Sequence, residues 1–130
     1  MITPTDIANM LYRDCKVFGI DVVPDGRTIV GAIKSERIFI HAKKQQPGKI
    51  WKKSFAEVNI CVPDLQPNEA NTIRLNELER MANQKLNDVV GNYDGTNYYY
   101  SIESIGIEKD ESLKCHYVNV RILFEVLNVK

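Results

Sequence analysis

The sequence predicts an α+β domain, an antiparallel or mixed sheet of four to five strands with two helices packed on one face. Three observations predict it. Two apolar stripes recur at helical spacing, several segments alternate with period two, and the order helix, strand, strand, helix, strand, strand suits helices gathered on one side of a sheet. The chain has 130 residues, 44% hydrophobic and 26% charged, and no repeat or linker-like tract divides it. Residues 1–130 therefore read as a single domain with one core.

Thr3-Pro4-Thr5-Asp6 starts the first helix. Thr3 caps it, Pro4 suits the first helical position, and the charge of Asp6 favours the positive end of the helix. Ile7, Met10, Leu11, Cys15 and Phe18 share a face, and Gly19 can end the element. From Ile20 to Ile33, short β-branched pieces are broken by Pro24, Asp25-Gly26 and Gly31, which reads as a weak strand or an irregular crossing.

Clearer strands follow at Glu36–Ala42 and Ser54–Val62. The second alternates strictly, with Ala56, Val58, Ile60 and Val62 on one face and Phe55, Glu57, Asn59 and Cys61 on the other. Pro47-Gly48 between them predicts a turn, so the intervening lysines form the tip and arms of a long hairpin. Leu75, Leu78, Ala82, Leu86 and Val89 draw a helical stripe over roughly residues 71–90, with Gly91 as a C-cap. "GNYDGTN" then turns into the strand "YYYSIESIGIE", which ends at the acidic turn "KDES".

In Tyr98-Tyr99-Tyr100 the middle ring faces away from its neighbours, so at least one lies outside the core. The last segment, "KCHYVNVRILFEVLNV", puts Val118, Val120, Ile122, Phe124 and Val126 on one face. Its other face is mixed and, with Phe55, looks outward, either as ordinary half-wet sheet or as a contact surface carrying Phe55, Tyr117, Leu123 and Leu127.

Several function classes have no support in the residues. Seventeen bases cancel seventeen acids, so any binding to nucleic acid or anionic membrane must be local. No apolar run approaches the roughly 20 residues of a membrane span, and the N-terminus lacks the order of a signal peptide, which predicts a cytoplasmic protein without membrane partners. Cys15, Cys61 and Cys115 are odd in number and far apart, which predicts reduced, partly buried thiols. A zinc or Cys-His site from Cys61, Cys115 and His116 is disfavoured because adjacent strand residues point to opposite faces. Glu103, Glu108, Asp110 and Glu111 gather around a turn, where solvated charge is the norm. With no phosphate loop and no nucleophile elbow, the reading is of a protein that is not an enzyme, with no catalytic residue, cofactor or metal.

The lysine segment is the strongest candidate for a binding function. Lys43, Lys44, Lys49, Lys52 and Lys53 surround Trp51, the only tryptophan, with no acid among them. Three roles compete: protection of a protruding hairpin from edge pairing, docking to an acidic protein surface, and contact with single-stranded nucleic acid. Arginine is absent and one aromatic ring makes a poor stacking platform, so sequence-specific nucleic-acid recognition is not expected. A small nucleic-acid-binding module using the basic Lys43–Lys53 hairpin is the alternative function.

The ordered set of segments resembles a known family. A short N-terminal helix, a long hairpin whose second strand reads "AEVNICVPDL", a helix containing "IRLNELERMANQKL" and a closing "CHYVNVRILFEVLN" look like the tail terminator, or tail completion, proteins of long-tailed phages and prophages. The resemblance runs from about Glu36 onward and departs from the pattern over 20–34. It implies an α+β fold, self-assembly as a ring, usually a hexamer, that caps the tail tube and joins it to the head connector, and a virion structural protein found in the host cytoplasm during assembly and then at the tail end. It implies no catalysis and no cofactor. The resemblance supplies no site residues; charge and strand alternation point to Lys43, Lys44, Lys49, Trp51, Lys52, Lys53, Phe55, Tyr117, Leu123 and Leu127 as the interface. Five lysines in one segment leave twelve bases against seventeen acids elsewhere, a charge of −5 that suits head-to-tail contact with a basic hairpin.

Overall fold

A computed structural model describes residues 2–23, 27–44 and 51–127. The first helix, α1 (Pro4–Asp14), begins with a complete capping box: Thr3 Oγ1 accepts from the Asp6 N–H, and the Asp6 carboxylate accepts from the Thr3 N–H. A 3-10 turn (Cys15–Phe18) extends it, and Gly19 closes it in the left-handed region at φ 68°, a conformation nearly free of cost only for glycine.

The next element, β1, is two residues long (Asp21–Val22) and lies parallel to β2 (Arg37–Ala42). A long β3 (Trp51–Pro63) follows, then α2 (Thr72–Lys85), β4 (Val89–Tyr93), β5 (Thr96–Asp110) and β6 (Cys115–Leu127). The strands form one sheet in the order β1-β2-β3-β6-β5-β4, antiparallel at every junction except the first. Among the described residues, no helix is long and apolar enough to cross a membrane.

Both helices cover the same face of this sheet. Ile7, Met10 and Leu11 from α1 and Leu75, Leu78 and Ala82 from α2 join Ile38, Val58, Ile60, Val118, Val120 and Ile122 in one core. Each strand contributes every second residue, as the alternation requires. Arg74 ties the start of α2 to the sheet, donating to Glu36 through Nε (2.7 Å) and Nη2 (2.9 Å), a two-bond fork that holds the helix in one orientation.

The α+β class and the one-sided helices match the sequence; the strand count does not, because the sheet has six strands rather than four to five. The weak strand or irregular crossing expected over 20–33 supplies β1, only two residues long; Pro24 and Asp25-Gly26 within that segment lie outside the described residues. The sixth strand is β4. Helix α2 ends at Lys85 with Leu86 as its C-cap, and Asp88 takes a left-handed φ of 54°. Val89 falls in phase with the helical stripe but belongs to a strand. Gly91 is accordingly no C-cap, and Asp94-Gly95, both at positive φ, form the two-residue hairpin turn that Asp-Gly favours.

The lysine hairpin is also built differently from its sequence reading. Strands β2 and β3 pair only from Arg37↔Cys61 to Ala42↔Ala56, extended by the bond from Lys43 N–H to the Phe55 carbonyl. The second lysine arm, Trp51–Ser54, pairs instead with β6, from Trp51↔Leu127 to Ser54↔Phe124. The turn expected at Pro47-Gly48 lies outside the described residues. Nor is the outer sheet face open throughout: the segment at 27–34 crosses one end of it, where Ile33 donates to the Leu113 carbonyl at 3.0 Å and packs with Cys61 and Cys115.

Two carboxylates give the fold a defined acid response. Hydrogen bonds from the Thr3 N–H to Asp6, and from the Leu113 N–H to Asp110, are the main causes that hold these groups below the ordinary carboxylate value of 3.8. A carboxylate depressed in the folded state contributes stability in full above its unfolded value and loses it as pH falls through the lower folded value. The protein is therefore expected to lose stability below about pH 4. In urea titrations from neutral pH down to that range, Asp6→Asn combined with Asp110→Asn should flatten the slope; an unchanged slope refutes the assignment.

Candidate interaction face

The outer face of the sheet is built from the alternate residues that point away from the helices. At the hairpin end, Phe55 lies opposite Leu123, and Leu123 opposite Ser101, each half-buried. One rung further along, Lys53 is opposite Glu125 and Glu125 opposite Tyr99. On the other side, Glu57 is opposite Arg121, and Arg121 opposite Ser104.

A charge network binds these rungs together. Lys43 Nζ stands 3.4 Å from Glu57 Oε2, Arg121 Nη1 3.9 Å from Glu57 Oε1, and Arg121 Nε 2.9 Å from Glu103 Oε1. A bulge between Ile102 and Ser104 accommodates the extra residue, Glu103, the way such irregularities re-aim side chains. The Arg121 guanidinium also lies 4.3 Å from the centre of the Phe55 ring, a favourable cation-π distance. Asn119 Nδ2 donates to Asn59 Oδ1 at 2.8 Å in the next rung.

Of the residues expected on this face, Phe55 and Leu123 are brought together, with Lys53 one rung away and Lys43 joined through Glu57. Lys44 is exposed just past β2. Trp51 and Lys52 open β3, and Leu127 ends β6 opposite Trp51; their side chains, and Lys49 entirely, lie outside the described residues. Tyr117 does not join them. It sits opposite Cys61 near the far end of β6 and packs against the cluster of Ile33, Cys61 and Cys115, as do Ile29, Phe39 and Leu113.

Arg121, Glu57 and Glu103 complete the face. Strict alternation had already placed Arg121 and Glu57 on the same face as Leu123 and Phe55; the missing information was the strand register that makes them neighbours. Arginine, absent from the lysine segment, enters from β6.

The three thiols are buried, and His41 is exposed. Cys15 is buried, and burial pushes its thiol up to about 12. Cys61 and Cys115 lie together under the crossing segment, and the hydrogen bond between them together with burial carries the Cys61 thiol well above the usual range. His116 points to the other side, its Nδ1 2.7 Å from Asp64 Oδ1. Among the described residues, no three His, Cys, Asp or Glu side chains converge as metal ligands. No protein-family model matches this chain, and no curated protein is significantly similar to it.

Proposed function

We propose that the protein is a structural component of a phage or prophage tail, assembling as a ring that caps the tail tube and joins it to the head connector. The resemblance of the ordered segments suggests this reading. The observation that best supports it is the composition of the outer face at the hairpin end. Apolar Phe55 and Leu123 lie half-buried opposite each other and are bordered by Lys43, Lys53, Arg121, Glu57 and Glu125, the apolar centre and charged rim of a protein contact. On this reading the chain is no enzyme, needs no cofactor, and passes from the host cytoplasm to the tail end of the virion.

The same composition weighs against the nucleic-acid alternative. Phosphate binding favours uninterrupted positive charge, whereas Glu57, Glu103 and Glu125 are interleaved with the cations, and the cation-π contact with Arg121 already occupies a face of the Phe55 ring.

Replacing Lys43, Lys44, Lys49, Lys52 and Lys53 together with Ser is expected to leave the circular dichroism spectrum unchanged and to lower the yield of joined particles when the variant is the only copy supplied to an assembling phage. Unchanged joining overturns the role of the hairpin. Salt-sensitive binding to short single strands that is lost on Trp51→Ala would replace the reading with the nucleic-acid one.

A further inference from the structure

The two edges of the sheet are unequal in a way that points to a partner. Strand β4 forms one edge, and among the described residues no strand pairs with its outer side. Tyr93 and Thr96 flank the two-residue turn, so they exchange ladder bonds, and alternation then directs the N–H and C=O of Val89, Gly91 and Tyr93 toward β5. The N–H and C=O of Val90 and Asn92 point outward. Natural sheet edges are ordinarily blunted by lysine, proline or a covering element; β4 contains neither residue, and Val90 is 74% exposed.

The charges at its ends select the partner. Asp88 and Asp94 bracket β4. Two copies pairing antiparallel about Gly91 would set Asp88 against Asp94 at both ends, an unfavourable like-charge pairing. A partner edge that ends in positive charge suits β4 better, and the opposite edge of the same sheet ends in Lys43 and Lys44 past β2, with Asp21 at its β1 end. Strand β1 pairs only Arg37 and Ile38, and Val23 N–H bonds the Ile38 carbonyl at 2.8 Å. Residues 38, 40 and 42 therefore direct their polar backbone to that side, and Ile40 and Ala42 have no strand partner there among the described residues. Lys43 and Lys44 follow directly.

Three antiparallel neighbours away from β2, each reversing direction, β5 runs against it, and β4 beyond β5 runs parallel to it. Copies placed side by side in the same orientation would thus meet as β4 beside β2, parallel, with their helices on the same side of a continued sheet. We propose that β4 of one copy adds to the stretch of β2 beyond β1 in the next, joining identical chains head-to-tail. Such a heterologous contact closes into a ring when its rotation permits. The inference rests on the reading of the chain as ring-forming and takes nothing from what the ring caps.

Light scattering on a sizing column tests it with the purified chain. Wild type should give a closed oligomer. Val90→Pro removes an outward donor that β5 does not use, a placement edge strands tolerate, and should give a folded monomer. Val90→Lys, at an exposed position, should do the same and decides the matter if the proline variant does not fold. Asp88→Asn with Asp94→Asn keeps residues that accept the positive φ of 54° and 49° there, and should weaken assembly and its salt dependence. An oligomer unchanged in mass by folded Val90→Pro or Val90→Lys overturns the edge contact and leaves the ring standing. A wild type that stays monomeric up to high concentration overturns head-to-tail pairing in solution, and the tail reading then depends on the joining assay alone.

Discussion

Phe124→Ala is expected to destabilise the protein by about 3–5 kcal/mol, the range for deleting a buried aromatic side chain. Phe124 is fully buried on the helix-facing side of β6, opposite Ser54 on β3 and Tyr100 on β5. Its ring stacks against Tyr98 at 5.1 Å and Tyr100 at 5.7 Å between centroids. Both tyrosines are themselves pinned: Tyr100 Oη donates to Asp14 at 2.7 Å, and Tyr98 Oη accepts from Arg13 at 3.0 Å. Neighbours held at both ends collapse poorly into a void, which puts this site toward the upper end of the range. A melting temperature lower by on the order of 10–20 °C should accompany the change. A loss below about 2 kcal/mol would mean that the tyrosines repack freely and that their bonds to α1 do not constrain them.

Gly91→Ala is expected to cost about 1–3 kcal/mol, although it adds a single methyl group. A Cβ at Gly91 would stand 2.4 Å from the tip of the Tyr98 ring. That ring has little room to retreat, being stacked on Phe124 and bonded to Arg13. The cost should therefore depend on Tyr98, and a double-mutant cycle by chemical denaturation reads the dependence: in a Tyr98→Leu background, Gly91→Ala should be much less harmful. Additive effects would show that the glycine is needed for some other reason.

These two sites illustrate how much of the fold was legible. Phe124 falls on the apolar side of an alternation that spans β6, so its burial was readable without coordinates. In the sequence Gly91 has the look of a helix cap, because Val89 continues the stripe of Leu75, Leu78, Ala82 and Leu86. Periodicity cannot distinguish a helix that continues from one that stops and leads into a core-facing strand. The Asp94-Gly95 pair between alternating segments was the local signal for the hairpin, and it yields the sixth strand. The triple tyrosine followed its pattern: Tyr98 and Tyr100 are buried, and Tyr99 is only partly so, with its hydroxyl on Asp88.

The candidate face was legible by residue type more than by arrangement. Alternation and charge point to Phe55, Leu123 and the lysines, but nothing local indicates that Arg121 lies over the Phe55 ring or that Glu57 receives Lys43. Tyr117 shares their strand phase yet belongs to a different cluster, because the segment at 27–34 returns across the sheet to cover it.

By itself the sequence determined what depends on neighbours along the chain: the capped first helix, the faces of the strands, the turn chemistry and the absence of a membrane-length apolar run. Only the tertiary structure decided which strands lie side by side, where α2 gives way to β4, which end of the outer face is covered, and which edges remain open among the described residues. The reason is physical. Side-chain periodicity is set by local backbone geometry, whereas strand register and edge exposure arise from hydrogen bonds between segments tens of residues apart, selected by how the whole core packs.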